Sequence, residues 1–277
     1  MPFGRVKATG SRMYISIQNH AAALTAVITG SSEAANSPAT NLSKPGRPFM
    51  PWRTSAGGDQ NAVINFASAK VVDAVWLVRT NFTSVRIQGN PTDSWGAPAF
   101  NELFTIGVSP WNFRYQLGVR LTGFNYQFLR VLIPSQTPTD GTSAYLLGGV
   151  WAGPIEKLPQ NVRFDVNLAT IQPSLDVAPQ HQGWRQRLVL GEPLCRIAAM
   201  RSTRITHMMP GFQDDLNLWQ SIARRVREND MLALILGAAD SSQAFVVRPI
   251  NEAHWQWTRR RLLRAESPWE LEELVGP

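Results

Sequence analysis

Acid–base, metal-ligating and nucleophilic side chains are few in this chain, and their spacing argues against catalysis. His20, His181, His207 and His254 are the only histidines. None has a partner at metal-ligand spacing, and H-E-x-x-H, C-x-x-C and H-x-E patterns are all missing. His207 reads as a structural residue just ahead of a helix. The carboxylate pair Asp214-Asp215 sits where that helix begins, and Glu272-Glu273 falls in an acidic tail. A glycosidase needs two carboxyls facing each other across a cleft, and spacing in the chain places no such pair. No G-x-S-x-G elbow, G-x-G-x-x-G turn or phosphate loop occurs. Asp165, Asn167, Asp176 and Asp240 could each offer calcium an oxygen, but without the repeated spacing of a known loop. Cys195 is the single cysteine and lies in the apolar run 193–200. It can form no intramolecular disulfide, which suits folding in a reducing compartment. The sequence therefore predicts a non-enzyme with no cofactor and no metal.

Binding chemistry is better represented. Ten tryptophans is a high count. Trp52-Arg53, Asn81-Phe82 and Trp95 combine aromatic faces with hydrogen-bonding groups in loop-like surroundings. Shallow sugar sites are built in this way, from a stacking platform and a few placed polar groups. The candidate ligand-binding residues are Trp52, Arg53, Asn81 and Trp95. A packing alternative stays open at this stage, in which Trp52 plugs the end of a sandwich and Arg53 pairs with a carboxylate.

Many short strands are predicted to position these residues. Residues 13–18 alternate as a strand, and Thr25, Val27 and Ile28 favour a strand within 21–29. A Ser/Asn/Pro/Gly-rich loop covers 30–51. Strands follow at 62–66, 71–79, 84–88, 104–108, 115–121, 127–133 and 144–151. The 71–79 run is almost continuously apolar, as a central strand would be. Turns at about ten-residue spacing are the signature of a jelly-roll β-sandwich. Composition shifts near Ala152-Gly153-Pro154. Beyond it, strands are expected at 162–168, 184–190, 195–205, 231–236, 243–249 and 255–263. One amphipathic helix is expected at 213–229, with Leu216, Trp219, Ala223 and Val226 on one face.

The charge balance narrows the partners. Net charge is +7, and charged residues make up only 17%. Residues 1–152 hold twelve Lys and Arg against six Asp and Glu, a balance of +6; the remainder is near neutral. Arg259, Arg260 and Arg261 are the one tight basic cluster. No basic stripe interleaved with aromatics is present, so nucleic-acid binding is not expected. Low charge with high Trp content suits surfaces covered by partner subunits. The N-terminus has no apolar signal core, and no run approaches the roughly 18 apolar residues of a membrane span.

One stretch carries a resemblance. Asn41-Leu42, then Pro48 through Trp52-Arg53-Thr54, the strand 62–66, the strand 71–80 followed by Asn81, and Val85-Arg86-Ile87 resemble the discoidin or galactose-binding-like jelly roll found in tailed-phage structural proteins. The pattern covers residues 20–152. The second half is similar in element order to the ring-forming β-domain of distal tail or baseplate proteins. The resemblance implies a mainly β chain: a jelly roll at 21–152 and a β-barrel-like ring domain at 153–277 carrying the 213–229 helix. Residues 1–20 would be an N-terminal strand that could belong to the ring domain. In better-known distal tail proteins the ring domain comes first. The order here is reversed unless the N-terminal strand joins the ring and the jelly roll is an insertion.

The function so implied is a structural subunit of a long-tailed phage tail tip, folded in the host cytoplasm and located in the virion. It would form a ring, a hexamer by the family's symmetry. Its partners would be further copies of itself, the tail tube, the tape-measure protein and baseplate hub proteins. The alternative is a carbohydrate-binding adhesion module that recognises a host-surface polysaccharide.

Overall fold

A computed structural model describes residues 14–45, 50–108, 115–157 and 231–235, together with the strand paths at 163–164, 168–171, 194–201, 205–206, 244–249, 256–258, 264–266 and 268–273. The helix expected at 213–229 and the strand expected at 184–190 lie outside the described residues. The architecture is mainly β, as the strand spacing predicts.

In chain order the first strands are β1 (Tyr14–Ser16), β2 (Val27–Gly30), β3 (Trp52–Arg53), β4 (Gln60–Val71), β5 (Ala74–Thr80) and β6 (Ser84–Asn90). After them come β7 (Phe100–Thr105), β8 (Gly107–Val108), β9 (Tyr115–Arg120), β10 (Asn125–Ile133), β11 (Leu146–Gly153) and β12 (Glu156–Lys157). Two five-stranded antiparallel sheets form the sandwich, in the orders β2-β4-β10-β6-β7 and β3-β11-β5-β9-β8. Alternation decides what each strand buries. Ile64, Val85, Ile87, Leu129 and Val131 from the first sheet meet Val75, Leu77, Leu117 and Val150 from the second in one core. At roughly 25 cal/mol per Å² of apolar surface, this burial is the main stabilising term.

Several boundaries differ from the sequence expectation for local reasons. Residues 21–29 are not one strand. A 3-10 turn at His20–Ala22 is capped by the Asn19 side chain accepting from the Ala21 N–H, and only Val27–Gly30 pairs. The expected 71–79 strand is two pieces. Val71 ends β4, and β5 starts at Ala74 after a break at Val72-Asp73. A register shift in β4–β10 pairing falls between Tyr126 and Phe128, where Ala67 takes a positive φ of 65°. The Asn65 Oδ1 braces this bulge, accepting from the Ala67 N–H at 2.8 Å and the Gln127 Nε2 at 3.1 Å.

The later strands are β13 (Arg163–Phe164), β14 (Leu168–Ile171), β15 (Leu194–Arg201), β16 (Ile205–Thr206), β17 (Leu232–Ile235), β18 (Ala244–Pro249), β19 (Gln256–Thr258), β20 (Arg264–Glu266) and β21 (Pro268–Glu273). The expected strand 195–205 is split into β15 and β16, and the acidic tail supplies β21. An eight-stranded sheet runs β12-β1-β17-β18-β21-β15-β13, with β14 also on β15. The strand leading into the sandwich, β1, pairs antiparallel with the strand leaving it, β12, and with β17. The sandwich is thus inserted between two adjacent strands of another sheet. Gly153 permits this close passage: a Cβ there would lie 1.9 Å from the Gln18 carbonyl oxygen.

The near-continuous apolar character of β5 has its cause here. Val75 and Leu77 face the sandwich core, whereas Ala74 and Trp76 join Tyr14, Trp151, Ala233, Ile235 and Val246 in a second cluster. Both faces of β5 are covered, one by each sheet.

Candidate functional site

The four expected ligand-binding residues do not share one site. Trp52 is fully buried, and its Nε1 donates to the Ser32 carbonyl at 3.0 Å. Its ring packs under Gly30, where a Cβ would meet Nε1 at 2.9 Å. A tryptophan with no exposed face cannot stack on a ligand, so Trp52 is corrected to a core residue at the end of the sandwich. Arg53, its neighbour on β3, is exposed, and among the described residues no carboxylate pairs with it.

Asn81 is also internal. Its Nδ2 donates to the Ala144 carbonyl at 2.9 Å and to the Asp140 Oδ2 at 3.0 Å. Its Oδ1 accepts from the Leu146 N–H at 2.7 Å, and its backbone carbonyl from the Thr139 N–H at 2.7 Å. Both ends of the amide are used, so Asn81 ties down the 134–145 loop and has nothing to offer a ligand. Burial works against ionisation of Asp140, but hydrogen bonds from Thr142 and Asn81 outweigh it and hold the carboxyl below the usual aspartate range.

Trp95, unlike Trp52 and Asn81, keeps part of its side chain at the surface. It lies half-buried in the loop between β6 and β7. Asn90 braces that loop, its Nδ2 donating to the Ser94 carbonyl and its Oδ1 accepting from the Ala99 N–H at 3.4 Å. The Trp95 Nε1 donates to the Asp93 Oδ1 at 2.6 Å. The Arg130 guanidinium carbon stands 4.5 Å from the centre of the indole ring, a cation–π contact.

Arg130 belongs to the outer face of the first sheet, because Leu129 and Val131 on either side enter the core. It pairs with Gln88 on β6, which in turn pairs with Asn101 on β7. A chain of side-chain hydrogen bonds follows that row. The Arg130 Nε donates to the Gln88 Oε1 at 2.6 Å, and the Gln88 Nε2 donates to the Asn101 Oδ1 at 3.0 Å. Arg86 Nη1 reaches the same Asn101 oxygen at 3.5 Å from the next outward position on β6. Around this row the face carries Val63, Phe128, Leu132 and Leu103, the last 56% exposed. Desolvation by burial lowers the Arg130 pKa and the Asp93 charge opposes it; the guanidinium stays charged at any ordinary pH.

Of the residues gathered here, sequence reasoning singled out Trp95 as a candidate and did not single out Arg130, Gln88, Asn101 or Arg86. Strand alternation along 84–90 and 127–133 marks Arg86, Gln88 and Arg130 as outward, whereas Asn101 lies ahead of the strand expected at 104–108 and falls in β7. Nothing short of the register says that they meet. Among the described residues, no group of three or more His, Cys, Asp or Glu could hold a metal ion, and no helix is long and apolar enough to cross a membrane.

No protein-family model matches the chain, and a search of curated sequences finds no match. Solved structures do match about half of it. A GH29 fucosidase from Ruminococcus gnavus, in complex with fucose, is similar at TM-score 0.39 and 15% identity, over 49% of this chain and 26% of that one. A fucose-binding module from Streptococcus pneumoniae is similar at TM-score 0.39 and 14% identity, over 50% and 98%. A chitosan-binding module from a Paenibacillus sp. IK-5 chitosanase/glucanase is similar at TM-score 0.36 and 20% identity, over 50% and 99%. The chain spans about a quarter of the fucosidase's length.

Proposed function

We propose that the sandwich is a non-catalytic carbohydrate-recognition module and that the outer face of its first sheet, around Trp95 and Arg130, is the recognition surface. The observation that carries this reading is the held indole. Trp95 is fixed by Asp93 on one side and Arg130 on the other, half-exposed beside a hydrogen-bonded polar row and apolar neighbours. A rigid aromatic next to placed polar groups loses little entropy when a sugar ring packs against it. Fucose, Lewis b and chitosan appear as ligands or partners of the similar structures, and they supply the first probes.

The test is binding by the full chain to an immobilised glycan array, followed by titration calorimetry on each positive. Trp95→Ala should weaken binding at least tenfold with the melting temperature little changed. Retention of full affinity in Trp95→Ala, or an array with no positives at millimolar glycan, would sink the reading.

A second reading is a structural subunit of a phage tail tip, assembled as a ring of six copies in the virion beside tube, tape-measure and hub proteins. One observation favours it: β1 and β12 pair with each other, so the sandwich is an insertion in a second sheet that includes β17. That arrangement would let a β platform oligomerise while the sandwich projects. Electron cryo-microscopy of particles tests it, and a chain found only outside the tail would end it. The two readings are compatible, since a projecting sandwich is a place for a glycan site.

A further inference from the structure

The polar groups on the recognition face are unevenly spent. Gln88 Oε1 already accepts from Arg130, Asn101 Oδ1 accepts from both Gln88 and Arg86, and Asp93 Oδ1 accepts from Trp95. Arg130, by contrast, uses only Nε in a side-chain hydrogen bond among the described residues, so its two Nη groups make none there. Among the described residues, Arg86 makes one side-chain hydrogen bond, at the long limit of 3.5 Å. Because Leu132 pairs with Arg86 and Arg130 with Gln88, the two arginines are diagonal neighbours on one face, about 7–8 Å apart at their stems. Asp93 offsets one of the two charges. The other outward strand positions of this face, Val63, Phe128, Leu132 and Leu103 among them, are uncharged. The strand positions of this face therefore carry two guanidinium groups with one charge offset by Asp93, and the Gln88 and Asn101 side-chain oxygens already accept from within the row.

We infer that this face takes an acidic sugar, with the carboxylate of a uronate-type residue received by Arg130 and Arg86 and a neighbouring ring packed on Trp95. The inference rests on the carbohydrate-recognition reading and names its ligand class. A planar guanidinium matches a carboxylate through two parallel hydrogen bonds, which a neutral hydroxyl does not reproduce. Arg130 comes to the ligand already oriented: Gln88 holds its Nε and the indole holds its plane, so little rotamer freedom is left to lose.

The test is calorimetric titration of the full chain with trigalacturonate, with its methyl ester and with inorganic sulfate, at about 50 and 300 mM salt. The expected result is binding of the acid that weakens with salt. The ester and sulfate should each bind at least tenfold more weakly. Arg130→Gln should lose at least tenfold in acid binding. Arg86→Gln, which leaves the Arg130–Trp95 pair intact, should lose several-fold with an unchanged melting curve. Equal binding of acid and ester, or acid binding untouched in both variants, overturns the inference. So does binding of sulfate as tightly as the sugar, which would reduce the site to charge alone. Binding of neutral array glycans without the acid overturns the acidic ligand but leaves the recognition reading standing; no glycan bound at all removes both.

Discussion

The indole Nε1 of Trp76 donates to the Leu234 carbonyl oxygen at 3.1 Å, across 158 residues of chain. It is a buried bond between a central sandwich strand and a strand of the other sheet. Tyr14, Trp151 and Ile235 pack around it, and the Trp151 Nε1 makes a second buried bond to the Ser16 Oγ at 2.9 Å. Arg120 adds a third link, its Nη1 3.2 Å from the Tyr14 hydroxyl oxygen. The sandwich is joined to its root by side-chain hydrogen bonds set within an apolar cluster.

Trp76→Phe keeps most of the apolar contact and removes the donor. Leu234 is also paired in the sheet on both sides, so the loss is that of one hydrogen bond, about 0.5–1.5 kcal/mol. For a chain of this size that lowers the melting temperature by about 2–4 °C per kcal/mol. Scanning calorimetry measures it, and an unchanged melting curve would show that the junction contributes nothing to stability.

Stability should fall as pH drops through the histidine range. His20 is pushed below the usual value of 6.5 by burial first and by the nearby Lys70 ammonium second, while a hydrogen bond with the Val71 backbone opposes both. The unfolded chain takes up the proton first as pH falls, so protons bound are greater in the unfolded state and unfolding is favoured. The loss starts near pH 6.5, the unfolded value, and levels off below the depressed folded value. Urea midpoints between pH 7.5 and 5 measure it. His20→Gln should flatten that part of the profile, and a variant with the same slope as the parent would exonerate His20.

Asn81→Ala should destabilise by about 2–4 kcal/mol, because the buried Leu146 N–H loses its acceptor and the 134–145 loop loses its anchor. Glycan affinity of the folded fraction should be unaffected. Denaturation midpoints and calorimetry separate the two effects. A selective loss of binding without loss of stability would return Asn81 to the ligand site.

Ala67→Gly should stabilise the chain by about 0.5–1 kcal/mol. A left-handed φ of 65° strains a residue with a Cβ, and glycine relieves more than it loses through the greater freedom of the unfolded chain. A raised urea midpoint is the expected result; a lowered one would mean that the Ala67 methyl group contributes packing that outweighs the strain.

Legibility in the sequence followed locality. Alternation in 84–90 and 127–133 reports which side chains point outward, and turn residues mark where strands stop. These signals reach only a few residues along the chain. They determined a mainly β chain with a jelly-roll-like first half. They also singled out Trp95 as an aromatic on a loop.

The tertiary structure decided the rest, because each remaining feature depends on pairing between distant segments. Trp52 and Trp95 sit in similar polar-rich stretches, yet one is sealed under Gly30 and the other is held on the surface by Arg130. Asn81 reads as an exposed turn residue until Ala144 and Leu146 are brought to it. The apolar run of β5 fits a central strand, but only the second sheet explains why Trp76 is buried on the outward side. Register is what joins Arg130, Gln88 and Asn101 into one row, since a slip of a single residue would turn every one of them into the core.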